Sequence, residues 1–187
     1  MVLKRFQYEN GLDIIAPLKC GTRWLEEKTN PIKIEELWLP TNKIQRITKD
    51  TYWVYRVGRE HLVSALKTEI RGAIEFNNGD VNQIISSFLN GTAGHWSPII
   101  FEFMYSYWNR IEFNLIELNY LSNLFPGIPY DPNNYNMNYY HKSTDATSTI
   151  IEMVNTDSLN ELYSMVENDK PYLTKMLNGE RIPIKLI

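Results

Sequence analysis

Apolar and polar positions fall into blocks that alternate between a strand pattern and a helix pattern. The first informative block runs from Leu12 to Lys28. Its short apolar stretch around Ile14 and Ile15 predicts a buried strand. Pro17 ends that strand, Gly21 permits an unusual turn, and Thr22 can cap the helix that Trp24 and Leu25 begin. Asn30-Pro31 disfavours continuation, so this helix is short.

A second block repeats the plan. Thr51-Tyr52-Trp53-Val54-Tyr55-Arg56 is aromatic and β-branched, hence a strand. Val57-Gly58 turns the chain, and a helix runs from about Arg59 to Phe76. At 100° per residue, Leu62, Val63, Leu66, Ile70, Ala73 and Ile74 share one arc, able to pack on a sheet. Ser64, Lys67 and Arg71 share the opposite one.

Downstream, Val81 to Leu89 reads as a helix after Asp80, Ile111 to Leu118 as a strand, and Tyr120 to Phe125 as helical. Asp157 to Leu177 carries one or two helices. Strands alternating with helices imply a three-layer α/β fold with a mainly parallel central sheet flanked by helices. Ligands of such sheets bind beyond the carboxyl ends of the strands, where both loops lie. Pro126 to Asn138, rich in Pro, Gly, Asn and Tyr, reads as an irregular surface loop.

Composition narrows the class. The chain of 187 residues is 43% hydrophobic and 22% charged, as expected of a single globular domain spanning 1–187. A net charge of -3 argues against a nucleic-acid binder held by a basic surface. No apolar run approaches the roughly 20 residues of a membrane span, and the first ten residues lack a signal-peptide core. Cys20 is the single cysteine, which excludes an internal disulfide and a multi-cysteine zinc site. The expectation is a soluble, cytoplasmic protein.

The segment Lys19-Cys20-Gly21-Thr22 can hold an anion. Gly21 lets successive amides face one concavity, the helix end adds free donors, Lys19 a charge and Thr22 a hydroxyl. The triphosphatase spacing G-x-x-x-x-G-K-[ST] is absent, because the lysine precedes the glycine.

Pro17 to Leu25 resembles the 5′-phosphosulfate loop of sulfotransferases, P-K-x-G-T-x-W-L, with Leu18 inserted after the proline. Arg56-Val57-Gly58-Arg59-Glu60-His61-Leu62-Val63-Ser64-Ala65 resembles the same family's 3′-phosphate element R-x-P-x-x-R-L-x-S-A-Y. Gly58 stands in place of its proline and His61 in place of its second arginine. A guanidinium fork grips phosphate bidentately, and a hydroxyl in the following helix completes the cradle. His95-Trp96-Ser97-Pro98 resembles the H-W-x-P segment of the carbohydrate branch. Met165 to Asp169 resembles a Y-x-x-D helix lacking its tyrosine, and the C-terminal R-K-G-x-x-G of the small-molecule branch is absent.

The resemblance implies a P-loop-like fold and in-line transfer of a sulfuryl group from 3′-phosphoadenosine 5′-phosphosulfate to a hydroxyl acceptor, in the carbohydrate branch a sugar. The product nucleotide is adenosine 3′,5′-bisphosphate, and no metal is required. It implies that Lys19 meets charge on the bridging oxygen. Cys20, Gly21, Thr22, Arg23 and Trp24 form the 5′-phosphate segment, while Arg56 and Ser64 hold the 3′-phosphate. The general base is His95, chosen over His61 and His141 for its context, with Glu35 or Glu36 as alternatives. Cys20 reads as a loop residue rather than a nucleophile. The aromatic run Phe101 to Trp108 is core or sugar platform, and Tyr130 to Tyr140 an acceptor cover or a plain loop. A nucleotide kinase with a degenerate P-loop and a non-catalytic nucleotide-binding module are the alternative functions.

Overall fold

The computed structural model describes residues 1–38, 47–76, 80–130, 152 and 154–181. Five strands form one open sheet: β1 (Val2–Gln7), β2 (Asp13–Pro17), β3 (Lys33–Trp38), β4 (Thr51–Tyr55) and β5 (Asn114–Glu117), in the order β3-β1-β2-β4-β5. β2, β4 and β5 run parallel, but β1 is antiparallel to both β2 and β3. The sheet is therefore mixed rather than mainly parallel. The cause is local. Tyr8 N donates to the Leu12 carbonyl at 3.0 Å across a turn containing Asn10 and Gly11, the latter at φ 83°. So short a connection can join only antiparallel strands.

Helices are α1 (Thr22–Lys28), α2 (Gly58–Phe76), α3 (Val81–Leu89), α4 (Ile100–Trp108) and α5 (Thr156–Leu177), with a 3-10 helix over Leu118–Leu124. Strand alternation sends Phe6, Ile14, Ala16 and Val54 to one face of the sheet. There they meet Trp24 and Leu25 of α1 and Leu118 and Leu121 of the 3-10 helix. Leu3, Ile15 and Trp53 go to the other face, under Phe101, Met104, Tyr105 and Trp108 of α4 and Leu173 and Met176 of α5. The aromatic run that offered a sugar platform is thus a helix whose buried positions recur at i, i+3, i+4 and i+7.

The apolar arc of α2 takes a different partner from the expected sheet. Leu62, Ala65, Leu66 and Ile70 pack on Ile85 and Phe88 of α3 and on Leu162 and Val166 of α5. Val63 and Ala73 are only half-buried, and the Ile74 side chain lies outside the described residues. Gly58 opens α2 because a Cβ there would stand 2.4 Å from Val166 Cγ1. The missing side chain admits α5, and nothing of a proline is needed. Asp169 is buried in the same region, where its carboxylate accepts from the amides of Phe101 (2.7 Å) and Glu102 (2.8 Å). It caps α4 from a distant helix, replacing the local cap that Ile99 cannot supply. Burial outweighs those two amides and lifts its pKa to about 6.

Candidate functional site: a basic cluster at the ends of two parallel strands

Opposition of Ile15 and Trp53 in parallel β2 and β4 sets their carboxyl ends, and the loops that leave them, side by side. After Pro17 the chain makes a tight turn closed by Cys20 N to the Pro17 carbonyl at 3.0 Å. Lys19 (φ 70°) and Gly21 (φ 78°) both adopt the left-handed region on either side of Cys20. Gly21, not Thr22, is the N-cap of α1, and Thr22 is its buried first residue. A Cβ on Gly21 would lie 2.8 Å from Leu121 Cδ2 and 2.9 Å from Leu118 Cδ1. The glycine is therefore demanded by backbone conformation and packing, whatever the loop binds. Gly21→Ala is expected to lower unfolding free energy by about 2 kcal/mol, combining left-handed strain with overpacking. Urea denaturation checks this.

Arg56 leaves the end of β4 and reaches back over this loop. Its Nη1 donates to the Lys19 carbonyl at 3.5 Å, and its Nε faces Glu60 Oε2 at 3.4 Å. Glu60 and Ser64 are one turn apart on α2, with Lys67 on the next turn, so the guanidinium stands over the face that carries the half-buried Ser64. Burial, then the charges of Arg56 and Arg23, brings the Lys19 ammonium down to about 8, against an upward pull from Glu69. Lys67 is likewise lowered, by burial and by Arg56. Among the described residues no carboxylate comes within ion-pair distance of the Lys19 ammonium. A cluster of cations that repel one another at a strand end is one that an anion would relieve. α1 has only seven residues, so the positive potential comes from these side chains rather than from its dipole.

The segment around His95 joins the same place. Leu18 N donates to the Val2 carbonyl (3.2 Å) and Val2 N to the Gly94 carbonyl (2.8 Å), so the start of β1 ties the lysine loop to the residue before His95. The ring of His61, fully buried, makes a second tie: Nε2 donates to the Leu18 carbonyl at 2.9 Å, and the ring approaches the His95 backbone. Burial drives the His61 pKa down to about 4, leaving the ring neutral at pH 7 and its role that of a strut. His95 Nδ1 and Glu69 Oε1 are 2.8 Å apart.

Other expected site residues stand elsewhere. Trp24 is 1% exposed, its Nε1 donates to the Pro129 carbonyl at 3.2 Å, and Phe125 and Tyr130 meet it edge-on. Its side chain belongs to the core rather than to a ligand surface. Arg23 is exposed and pairs with Glu27 at 2.7 Å. The Cys20 thiol is buried and pushed up to about 12 by burial, which leaves it unreactive. Glu35 and Glu36 sit on edge strand β3, which β1 separates from β2, and they pair with Lys33 and Lys4. Residues 126–130 pack against α1 through Pro129 and Tyr130, while 131–140 and His141 lie outside the described residues. Sequence reasoning passed over Glu69, for which no local motif exists. It read His61 as a departure from a pattern and as a lesser candidate for the general base, not as a buried strut, and Asp169 only as part of a pattern.

No helix among the described residues is long and apolar enough to cross a membrane. No protein-family model, curated protein or solved structure matches the chain.

Proposed function

We propose that this protein is a sulfotransferase with a P-loop-like fold, moving a sulfuryl group from 3′-phosphoadenosine 5′-phosphosulfate to a hydroxyl acceptor of the carbohydrate class, in the cytoplasm. One observation carries the proposal. The two loops that resemble the donor-binding elements leave neighbouring parallel strands, and the Arg56 guanidinium rests on the Lys19 backbone. Residues separated by nearly a fifth of the chain thus stand together in one cationic cluster.

In this scheme Lys19 neutralises charge developing on the bridging oxygen of the leaving phosphate, and the amides after it hold the 5′-phosphate. Arg56, Ser64 and Lys67 take the 3′-phosphate, and His95 takes the acceptor proton. Catalysis is positioning and electrostatics throughout. The donor's own negative charge supplies a counterion for Lys19, and adds to the Glu60 carboxylate beside Arg56.

Calorimetry tests the assignment. Adenosine 3′,5′-bisphosphate is expected to bind more tightly than adenosine 5′-monophosphate or magnesium-ATP. Arg56→Ala should weaken the bisphosphate by about 10–100-fold, the worth of a charged hydrogen-bonded pair. The same change should leave the monophosphate almost unaffected. Equal losses for both nucleotides would deny Arg56 a role at the 3′-phosphate, and tighter binding of magnesium-ATP would favour a phosphotransferase.

A further inference from the structure

His95 is held from one side by a carboxylate from a different element. Glu69 Oε1, on α2, lies 2.8 Å from His95 Nδ1 and 3.2 Å from its backbone nitrogen, which donates to it. The Glu69 side chain is 19% exposed and that of His95 31%, so the contact is shielded while the His95 side chain stays partly exposed. An ionised carboxylate only accepts hydrogen bonds, so Nδ1 must carry a proton and donate it. In the neutral ring the remaining nitrogen, Nε2, then holds a lone pair.

The surroundings of this pair are cationic or neutral. The Lys19 ammonium, on the loop after β2, and the Met1 amino group, at the start of β1, both lie within the field of Glu69. His61 on α2 lies next to His95 and within the field of Arg56 from the end of β4. Glu69 therefore bonds the histidine and acts on the lysine only through its field, although its sequence neighbours give no hint of either.

We infer that Glu69 is a positioning residue that locks His95 in the Nδ1–H tautomer and presents Nε2 as the proton acceptor at the cluster that holds Lys19. This inference rests on the sulfuryl-transfer function proposed above. In the step it serves, the acceptor oxygen bonds to sulfur while its hydroxyl proton passes to Nε2. The bond from sulfur to the bridging oxygen breaks, its electron pair staying on the 5′-phosphate, where Lys19 meets it. No electron transfer occurs and no further reactant is consumed.

The test joins a spectroscopic readout to a kinetic one. Long-range proton–nitrogen correlation spectra of the wild-type protein should show His95 as a single Nδ1–H tautomer with bare Nε2. Glu69→Ala should release the ring to the Nε2–H form that free imidazole side chains favour. Turnover in Glu69→Ala should fall about 10–100-fold, as when a partner that orients a histidine is lost, with donor KM within about twofold. In a His95→Ala background the same change should cost nothing more, because the two act as one unit. An Nε2–H ring in the wild-type protein, an unchanged ring in Glu69→Ala, or an undiminished loss in the His95→Ala background would each overturn the inference. A locked tautomer in a protein with no sulfuryl transfer would instead refute the transferase function, and the base role with it. A free tautomer with transfer intact refutes only the role of Glu69.

Discussion

Removing the Lys19 side chain is expected to lower the turnover of sulfuryl transfer by about 10²–10³-fold, the usual cost of deleting one donor aimed at developing transition-state charge. Lys19→Ala is the direct variant. Lys19→Gly is its companion, because the residue sits at φ 70° and glycine occupies that region without strain. Neither variant should lose stability. The ammonium is held down to about 8 by burial and by its cationic neighbours, so the fold bears a cost for keeping it charged. The sign of the pH dependence follows. Below about pH 8 the lysine is charged and nucleotide affinity should be level. Above it, binding must also supply the energy to recharge the lysine, so affinity should fall by up to about tenfold per pH unit. Lys19→Gly should abolish the break. Single-turnover assays and calorimetry at several pH values check both claims, and unchanged turnover in either variant would end the assignment of Lys19.

The second large effect concerns stability at the opposite end of the strands. Arg5 on β1 donates to both carboxylate oxygens of Asp13 on β2, Nε to Oδ1 at 2.8 Å and Nη2 to Oδ2 at 2.9 Å. Thr51 Oγ1 on β4 donates to the same Oδ2 at 2.7 Å. The two charged side chains are only 8% and 14% exposed, so this fork spans three adjacent strands largely out of water. Arg5→Met leaves a buried carboxylate with one hydroxyl for company and is expected to cost about 3–5 kcal/mol. Arg5→Met with Asp13→Asn removes both charges and should cost much less. Urea unfolding of the two variants, with unchanged slope, measures the difference. A loss below about 1 kcal/mol for Arg5→Met would show the pair to be screened like a surface one.

The strand-turn-helix blocks at Asp13–Lys28 and Thr51–Phe76 were legible because each pairs a β-branched stretch with a loop that only a few residue types can make. β1 was not, although Asn10-Gly11 marks a hairpin turn, because a largely buried strand that carries Lys4, Arg5 and Gln7 shows little apolar contrast. Missing β1 turned a mixed sheet into a mainly parallel one. Edge strand β3 was hidden for a related reason: Ile34 and Trp38 are exposed, so its pattern marks no buried face. The convergence of Lys19 and Arg56 could be anticipated from the strand order, since neighbouring parallel strands bring their following loops together. The Glu69–His95 contact could not, because no spacing rule links a helix face to a loop 26 residues on. Trp24 illustrates the opposite error. Its place in a motif suggested ligand contact, whereas its neighbours Phe125 and Tyr130, far off in sequence, claim it for the core.

The chain of bonds from Leu18 through Val2 to Gly94 also governs when the cluster comes into being during folding. Its three segments are remote along the polypeptide, and bringing them together costs loop-closure entropy that only the finished sheet and helices repay. A half-folded chain, even one with β1 and β2 paired as a hairpin, has no cradle to offer. A nucleotide of the proposed kind is therefore expected to act as a brake on unfolding rather than a guide to folding, its binding reporting the native state alone.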